Sequence, residues 1–238
     1  MEADLKPKLI IFDLLTGLLD SWTAWDKAAS AALPEFRDSA RDLSPGPQEA
    51  SPQHSLGFAW RQNYLRITYE TGRYVSYADL VHSAASLTPG LPPTAPDILL
   101  ANYTKWIKPW SEVPEVLKEL RSQGYKLAVV TNCSAELGHA AAALCSGQLG
   151  EEIFDVVVTA EESGWYKPAP EAYLAVLSKI NVQPEEVLFV AGSASDVPGA
   201  AGAGFPVVWH NHIGAAAKSE VKPEKEGRTL QETLSYLL

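Results

Sequence analysis

Carboxylates, a lysine and an amide recur in this chain just past short apolar runs, and any chemistry has to be sought there. Leu9-Ile10-Ile11-Phe12 stops at Asp13, followed by Leu14-Leu15-Thr16-Gly17. Lys126 to Val130 stops at Thr131-Asn132, and Val187 to Ala191 stops at Gly192-Ser193, with Asp196 close behind. Lys167 lies in Gly164-Trp165-Tyr166-Lys167-Pro168, ahead of a helical pattern. A carboxylate that acts as a nucleophile needs an adjacent cation to keep it ionised and to neutralise developing charge, and a lysine does both. Thr131, Asn132 and the backbone N–H groups of a helix start could hold an anion. Asp196 could orient or deprotonate a water. Each residue alone has an ordinary role as a strand end, a solvated loop lysine or a cap. Their order along one scaffold carries the inference.

That order matters because of the elements around it. Leu9 to Phe12 is an unbroken apolar run too short for a helix, as expected of a strand buried on both faces. Open α/β sheets collect ligands at the carboxyl ends of such strands. Further strands are predicted at 126–130, 153–159, 187–191 and 206–209. Helices are predicted at 114–121, with Val116, Leu117 and Leu120 on one face and Gly124 as the stop, and at 134–144. Another opens at Pro170, with Tyr173, Val176, Leu177 and Ile180 sharing a face. Thr229-Leu230-Gln231-Glu232 has the reciprocal capping-box pattern and opens a terminal helix. Alternation of this kind implies parallel strands, right-handed crossovers and helices on both faces. Residues 21–108 show no strand pattern. They hold helical segments separated by Pro-rich breaks at 44–47 and 88–93, with Leu56, Trp60, Tyr64 and Ile67 in one apolar stripe and Arg61 at its edge. The expected fold is therefore α/β: a Rossmann-like parallel-sheet core of residues 1–20 and 109–238, with a helical cap, 21–108, inserted after the first strand.

Composition narrows the function classes. A chain of 238 residues with 46% hydrophobic and 20% charged residues can bury a core. Its formal net charge of −10 argues against a nucleic-acid or anionic-membrane surface. Two cysteines, Cys133 and Cys145, make no disulfide framework and no zinc-binding pair. Cys133 is expected to be a small buried residue. His210 and His212 are two apart, which is not the spacing of a helical metal pair, and are expected in a loop. The amino terminus shows no basic-then-apolar signal and no run approaches the ~20 apolar residues of a membrane span. A cytoplasmic enzyme or binding protein follows, acting on a small molecule.

Taken together, the Asp13 motif, Val129-Val130-Thr131-Asn132, Trp165-Tyr166-Lys167-Pro168-Ala169-Pro170 and Val190-Ala191-Gly192-Ser193-Ala194-Ser195-Asp196 resemble the haloacid dehalogenase superfamily across the whole core. Most members of that superfamily are magnesium-dependent phosphatases with a second aspartate two residues after the nucleophile. Leu15 stands there in this chain and cannot protonate a leaving group, and a hard Mg²⁺ would find few oxygen ligands. The branch that lacks this aspartate is the L-2-haloacid dehalogenase subfamily. Phe58-Ala59-Trp60-Arg61-Gln62-Asn63-Tyr64-Leu65 and Gly72-Arg73-Tyr74 resemble that subfamily's cap, whose arginine receives the departing halide, and Gly204-Phe205-Pro206-Val207-Val208-Trp209 is similar to its segment after the last motif.

The resemblance implies hydrolytic dehalogenation of a small L-2-haloalkanoic acid through an aspartyl ester, with no metal and no cofactor, by a homodimer. Asp13 would be the nucleophile, Lys167 its counter-ion, Asp196 the residue that steers water, and Thr16 a support of the nucleophile. Arg61 and Asn132 would receive the halide, with Thr131, Leu15, Ser193 and Trp60 lining the substrate site. Departures from the subfamily pattern bear on the second half-reaction. Thr16-Gly17 stands where the subfamily has Gly-Thr, Leu15 replaces an aromatic, and Ala191-Gly192-Ser193 replaces Ser-Ser-Asn. The rival readings are a phosphatase with an atypical acid and a binding or regulatory protein that keeps the fold without turnover.

Overall fold

The structure, a computed structural model, describes residues 6–33, 55–146 and 152–238. The break expected at 44–47 lies outside the described residues. The chain divides into two compact units, one of Met1–Leu19, Gly72–Tyr74 and Lys108–Leu238, the other of Asp20–Thr71 and Val75–Ile107.

The first unit is a six-stranded parallel sheet in the order β3-β2-β1-β4-β5-β6. Its strands are β1 (Leu9–Phe12), β2 (Lys126–Thr131), β3 (Val156–Thr159), β4 (Val187–Ala191), β5 (Val207–His210) and β6 (Lys225–Gly227). β1 lies in the middle. Phe12 is in register with Val129 of β2 and Val190 of β4, so these strands run out at a common edge. Every side chain of β1 is fully buried. Leu9 and Ile11 pack with Phe189, Tyr173, Val176 and Val197, and strand alternation sends Ile10 and Phe12 to the opposite face. Such burial contributes about 1.5–3 kcal/mol per side chain, which is why four residues suffice for a central strand.

Differences from the sequence reading have local causes. β3 begins three residues late because the Asp155 side chain accepts the Leu127 N–H at 2.9 Å and meets Arg121 Nη1 at 2.6 Å, standing in for a ladder bond. β5 starts and ends one residue later than expected, so His210 is a strand residue and not a loop residue. The helix α7 (Ala160–Ser163) and the strand β6 carry no apolar period. A capping box between Thr159 and Glu162 nucleates α7, and β6 is an edge strand of sequence Lys-Glu-Gly. At the carboxyl end, α10 (Leu230–Thr233) is capped by the Thr229 hydroxyl, but the Glu232 carboxylate accepts from the Arg228 N–H, so the reciprocal half of the expected box is missing.

Gly72–Tyr74 joins this unit beside the lysine loop. The Tyr166 N–H donates to the Gly72 carbonyl at 2.6 Å and the Tyr74 N–H donates to Gly164 at 2.8 Å. The Arg73 guanidinium lies over the Trp165 ring, 4.7 Å from its centroid. The tyrosine rings of 74 and 166 stack at 5.5 Å. Gly72 has φ +67, a conformation side chains resist.

The second unit is helical: α1 (Trp22–Ala32), α2 (Leu56–Thr71), α3 (Tyr77–Ser86) and α4 (Ala95–Trp106). α1 packs against α2 and α4, and α2 against α3. The buried residues of α2 are Gly57, Trp60, Arg61, Tyr64 and Thr68. Leu56 and Ile67 are only half-buried. The apolar stripe is thus rotated from the expected one, and Arg61 lies inside it.

Candidate active site

β1 ends where the Asp13 N–H donates to the Val190 carbonyl at 3.0 Å, fixing residue 13 at the sheet's carboxyl edge. The chain then curls, with the Leu18 and Leu19 N–H groups both returning to the Leu14 carbonyl. The curl aims three donors at one carboxylate oxygen. Oδ2 of Asp13 accepts from the Thr16 N–H (3.1 Å), the Gly17 N–H (2.9 Å) and the Thr16 hydroxyl (2.5 Å). The other oxygen, Oδ1, meets the Lys167 ammonium at 2.7 Å. Burial would raise the Asp13 pKa, but the Lys167 charge, its hydrogen bond and the Thr16 donors outweigh that and hold it below the ordinary carboxylate value. Lys167 is itself buried, which disfavours its charge, yet Asp13 and Asp196 together push its pKa up. The pair is ionised.

Asp196, the first residue of α9 (Asp196–Gly202), is the second carboxylate. Its Oδ1 lies 3.1 Å from Lys167 Nζ and accepts from the Tyr173 hydroxyl at 2.9 Å, and its Oδ2 accepts from the Ser193 hydroxyl at 2.9 Å. The Asp196 N–H returns to Ser193 Oγ at 3.2 Å. Burial raises the Asp196 pKa, Lys167 opposes it, and the Asp13 charge adds to it. Of the two carboxylates, Asp196 is the better proton acceptor.

Asn132 fixes the lysine loop. Its side-chain oxygen accepts the Lys167 N–H at 2.7 Å and its amide donates to the Lys167 carbonyl at 2.9 Å. The amide expected at the departing halide thus also holds the lysine loop in place. The Thr131 hydroxyl faces Cys133 Sγ at 3.7 Å. The helix start behind it, α6 (Ala135–Leu144), offers no anion cradle at its first turn. The Ala135 N–H is taken by the Glu161 carboxylate at 2.7 Å and the Leu137 N–H by the Ser134 hydroxyl. Cys133 is buried and desolvation pushes its thiol up to about 12, so it is inert at neutral pH. Leu15 is buried beside the nucleophile in sequence and brings no polar atom.

Two contributors escape the sequence reading. Tyr173 reads as one more apolar position on a helix face, and nothing in its spacing marks the hydroxyl. Gly192 reads as a turn, but a Cβ there would stand 2.5 Å from both Asp13 Oδ2 and Gly17 Cα. Only glycine lets β4 approach the nucleophile loop so closely.

Arg61 and Trp60 belong to the helical unit. The Arg61 guanidinium lies 4.5 Å from the Trp22 ring centroid, and its Nε and Nη1 are buried with no hydrogen-bond partner among the described residues. A buried guanidinium with donors of this kind could receive an anion. Trp60 is fully buried, donates Nε1–H to the Val81 carbonyl at 3.0 Å and packs edge-on against Trp25 at 4.5 Å. Those contacts pack it within the helical unit.

A parallel α/β sheet whose central strand delivers a buried, lysine-paired aspartate at its carboxyl edge defines a class of hydrolases built around an aspartate nucleophile. The comparisons give that class its family. Residues 7–204 match the family described as haloacid dehalogenase-like hydrolase, and the chain belongs to it. Haloacetate dehalogenase H-2 of Moraxella sp. (strain B) is 30% identical over 216 residues, covering 89% of this chain and 88% of that protein. The (S)-2-haloacid dehalogenase 2 of Pseudomonas sp. (strain CBS-3) is 32% identical over 164 residues, covering 66% and 70%. The structure of L-2-haloacid dehalogenase from Xanthobacter autotrophicus with chloropropionic acid covalently bound superposes with a TM-score of 0.71 at 21% identity, over 97% of this chain and 98% of that one.

Magnesium, which most of the superfamily would imply, does not fit this donor set. The Leu15 side chain supplies no oxygen, and each oxygen of Asp13 and Asp196 already receives a hydrogen-bond donor or the Lys167 ammonium.

Proposed function

We propose that this chain hydrolyses a small L-2-haloalkanoic acid through an ester of Asp13, with no metal in the reaction. One observation carries the reading: the two oxygens of Asp13 are held differently. Oδ2 takes three hydrogen-bond donors, whereas Oδ1 faces Lys167 alone. Oδ1 therefore keeps lone-pair density for attack. Its pair forms a bond to C2 as the carbon–halogen bond breaks, the halide leaves with the bonding electrons, and the configuration at C2 inverts. Arg61 receives the halide, since its buried donors have no acceptor of their own.

In the ester, Oδ2 becomes the carbonyl oxygen. Water adds to the carbonyl carbon and the negative charge collects on Oδ2, where the Thr16 and Gly17 donors already point. That arrangement is an oxyanion hole in place before the charge exists. Asp196, with its pKa raised, takes one water proton and returns it to the departing alkoxide as the ester bond breaks. The second water proton is released when Asp13 re-ionises beside Lys167. Tyr173 and Ser193 orient Asp196, and Asn132 holds the lysine. The alterations in the 191–193 segment leave this second step intact on the reading, because Ser193 and Tyr173 fix Asp196 and the oxyanion donors come from the first loop.

The helical unit, residues 21–108 in the sequence division, acts as the cap that brings Arg61 to the substrate. The reading also takes the protein to be a cytoplasmic homodimer, as the family resemblance implies; among the described residues no helix is long and apolar enough to cross a membrane. A single turnover of L-2-chloropropionate in ¹⁸O water tests the mechanism. The label should enter the peptide containing Asp13 and not the hydroxy acid, and Asp13→Asn should release no halide. Label in the product alone would replace the ester with direct attack by water. No halide release from the wild-type chain would leave the binding-protein reading in its place.

A further inference from the structure

A second group of titratable residues lies in the core unit outside the site just described. The His210 ring is fully buried. Its Nδ1 lies 2.7 Å from the Gly17 carbonyl oxygen. A carbonyl only accepts, so a ring proton sits on Nδ1, and in the neutral ring Nε2 presents a lone pair. That lone pair faces another acceptor, Oε1 of Glu112 at 3.7 Å, and among the described residues Nε2 has no hydrogen-bond partner. The Nδ1 of His212 is likewise buried without a hydrogen-bond partner among the described residues. The His212 ring is fixed by stacking on Trp110, 3.7 Å between centroids, and meets the His210 ring edge-on at 5.6 Å. Glu112, His210 and His212 each offer a ligand atom, and the three lie within 4.8 Å of one another. Converging acceptors with no donor between them are unfavourable. A positive charge belongs among them.

We propose that Glu112, His210 and His212 bind a divalent transition-metal ion of the zinc type, at a site separate from the Asp13 centre. Two imidazoles and a carboxylate suit Zn²⁺, Co²⁺, Ni²⁺ or Cu²⁺ and not Mg²⁺. Tetrahedral bonds of about 2.0–2.1 Å require donors about 3.3 Å apart. The His210–Glu112 separation is already close to that, and rotation of the part-exposed Glu112 side chain supplies the rest.

The surroundings match what a metal-bound histidine ordinarily has. The Nδ1–H of His210 is anchored on a backbone carbonyl, and the Glu112 carboxylate is oriented by the Leu230 N–H at 3.2 Å and the Ser111 hydroxyl at 3.3 Å. The opposing charge is Arg228, whose Nη1 is directed at the Asn211 and His212 carbonyls, at 3.3 and 3.5 Å. It weakens the site without blocking the ligand atoms. A metal here would also stiffen Gly17, whose N–H holds Asp13 Oδ2. No step of the displacement passes through it.

The test uses the full chain, freed of metal by a chelator and then titrated with Co²⁺. One equivalent should bind with the visible absorption of four-coordinate cobalt, and Zn²⁺ should displace it. Glu112→Gln and His212→Ala should each weaken binding about 100-fold or more, by the scale of lost metal ligands and their supports. Thermal melts of both variants in chelator would show them folded. Absence of saturable binding would overturn the proposal, as would binding undiminished in both variants. So would a His210 ring that titrates as an imidazolium paired with Glu112 in a protein that takes up no metal.

Discussion

Replacing Gly192 with alanine tests whether the approach of β4 to the nucleophile loop matters to the chemistry. The added Cβ would lie 2.1 Å from the Gly17 nitrogen and 2.5 Å from Asp13 Oδ2 and from Gly17 Cα, where ordinary contact begins at 3.4 Å. These are backbone and carboxylate atoms and not the tip of a flexible side chain, so relief requires the loop or the strand end to move by about 1.3 Å. A misplacement on the order of 1 Å costs about 10²-fold in rate. Overpacking of this kind costs about 1–3 kcal/mol in stability. The expected variant is folded, melts several degrees lower, and releases halide from L-2-chloropropionate about 10²-fold more slowly. Both half-reactions should suffer, because Gly17 N–H and Asp13 Oδ2 serve each of them. A folded Gly192→Ala protein with wild-type turnover would show that the curl at residues 13–17 tolerates displacement, and the oxyanion assignment would fall with it.

Lys167→Met leaves two buried carboxylates without a counter-ion, a loss of about 3–5 kcal/mol at neutral pH. In the wild type the lowered Asp13 pKa stabilises the fold at pH above the ordinary value of 3.8, and that contribution is lost as pH falls through the folded-state value. In the variant both folded-state pKa values rise, so stability should recover on acidification towards pH 5; urea melts showing the same deficit at both pH values would contradict the pairing. Tyr173→Phe removes one donor from Asp196 and should leave the first halide burst unchanged while slowing steady-state turnover about 10-fold, with ester accumulating on the Asp13 peptide. A burst slowed as much as turnover would place Tyr173 in the first step instead. Arg61→Ala should lower halide release about 10²-fold, as loss of one anion-stabilising group does; an unchanged rate would reduce Arg61 to packing on Trp22.

Much of the core was legible because its signals are local. A four-residue apolar run can only be a strand, and Pro170, Gly124 and Thr229 punctuate helices through their own backbone preferences. The order of Asp13, Asn132, Lys167 and Asp196 could be read from the strands that precede them. Their partners could not. Asn132 reaches Lys167 by a tertiary contact that no spacing encodes, and the hydroxyl of Tyr173 is invisible in an apolar stripe. Arg61 looked like the edge of its helix because a charged residue is ordinarily at the surface, yet tryptophans enclose it. Edge strand β6 went unread because Lys-Glu-Gly carries no hydrophobic alternation. Glu112 and His210 are far apart in sequence and meet only because β5 ends beside the loop that precedes α5 (Val113–Ser122).

The ribbon of backbone bonds between Gly72–Tyr74 and the segment just ahead of Lys167 has a consequence for engineering. The helical insertion is not a cassette that can be lifted out at its two ends. Deleting or grafting it wholesale would remove three residues that brace the lysine loop from outside. The graft's first symptom would then be an aspartate that has lost its counter-ion, before any change in what the cap selects.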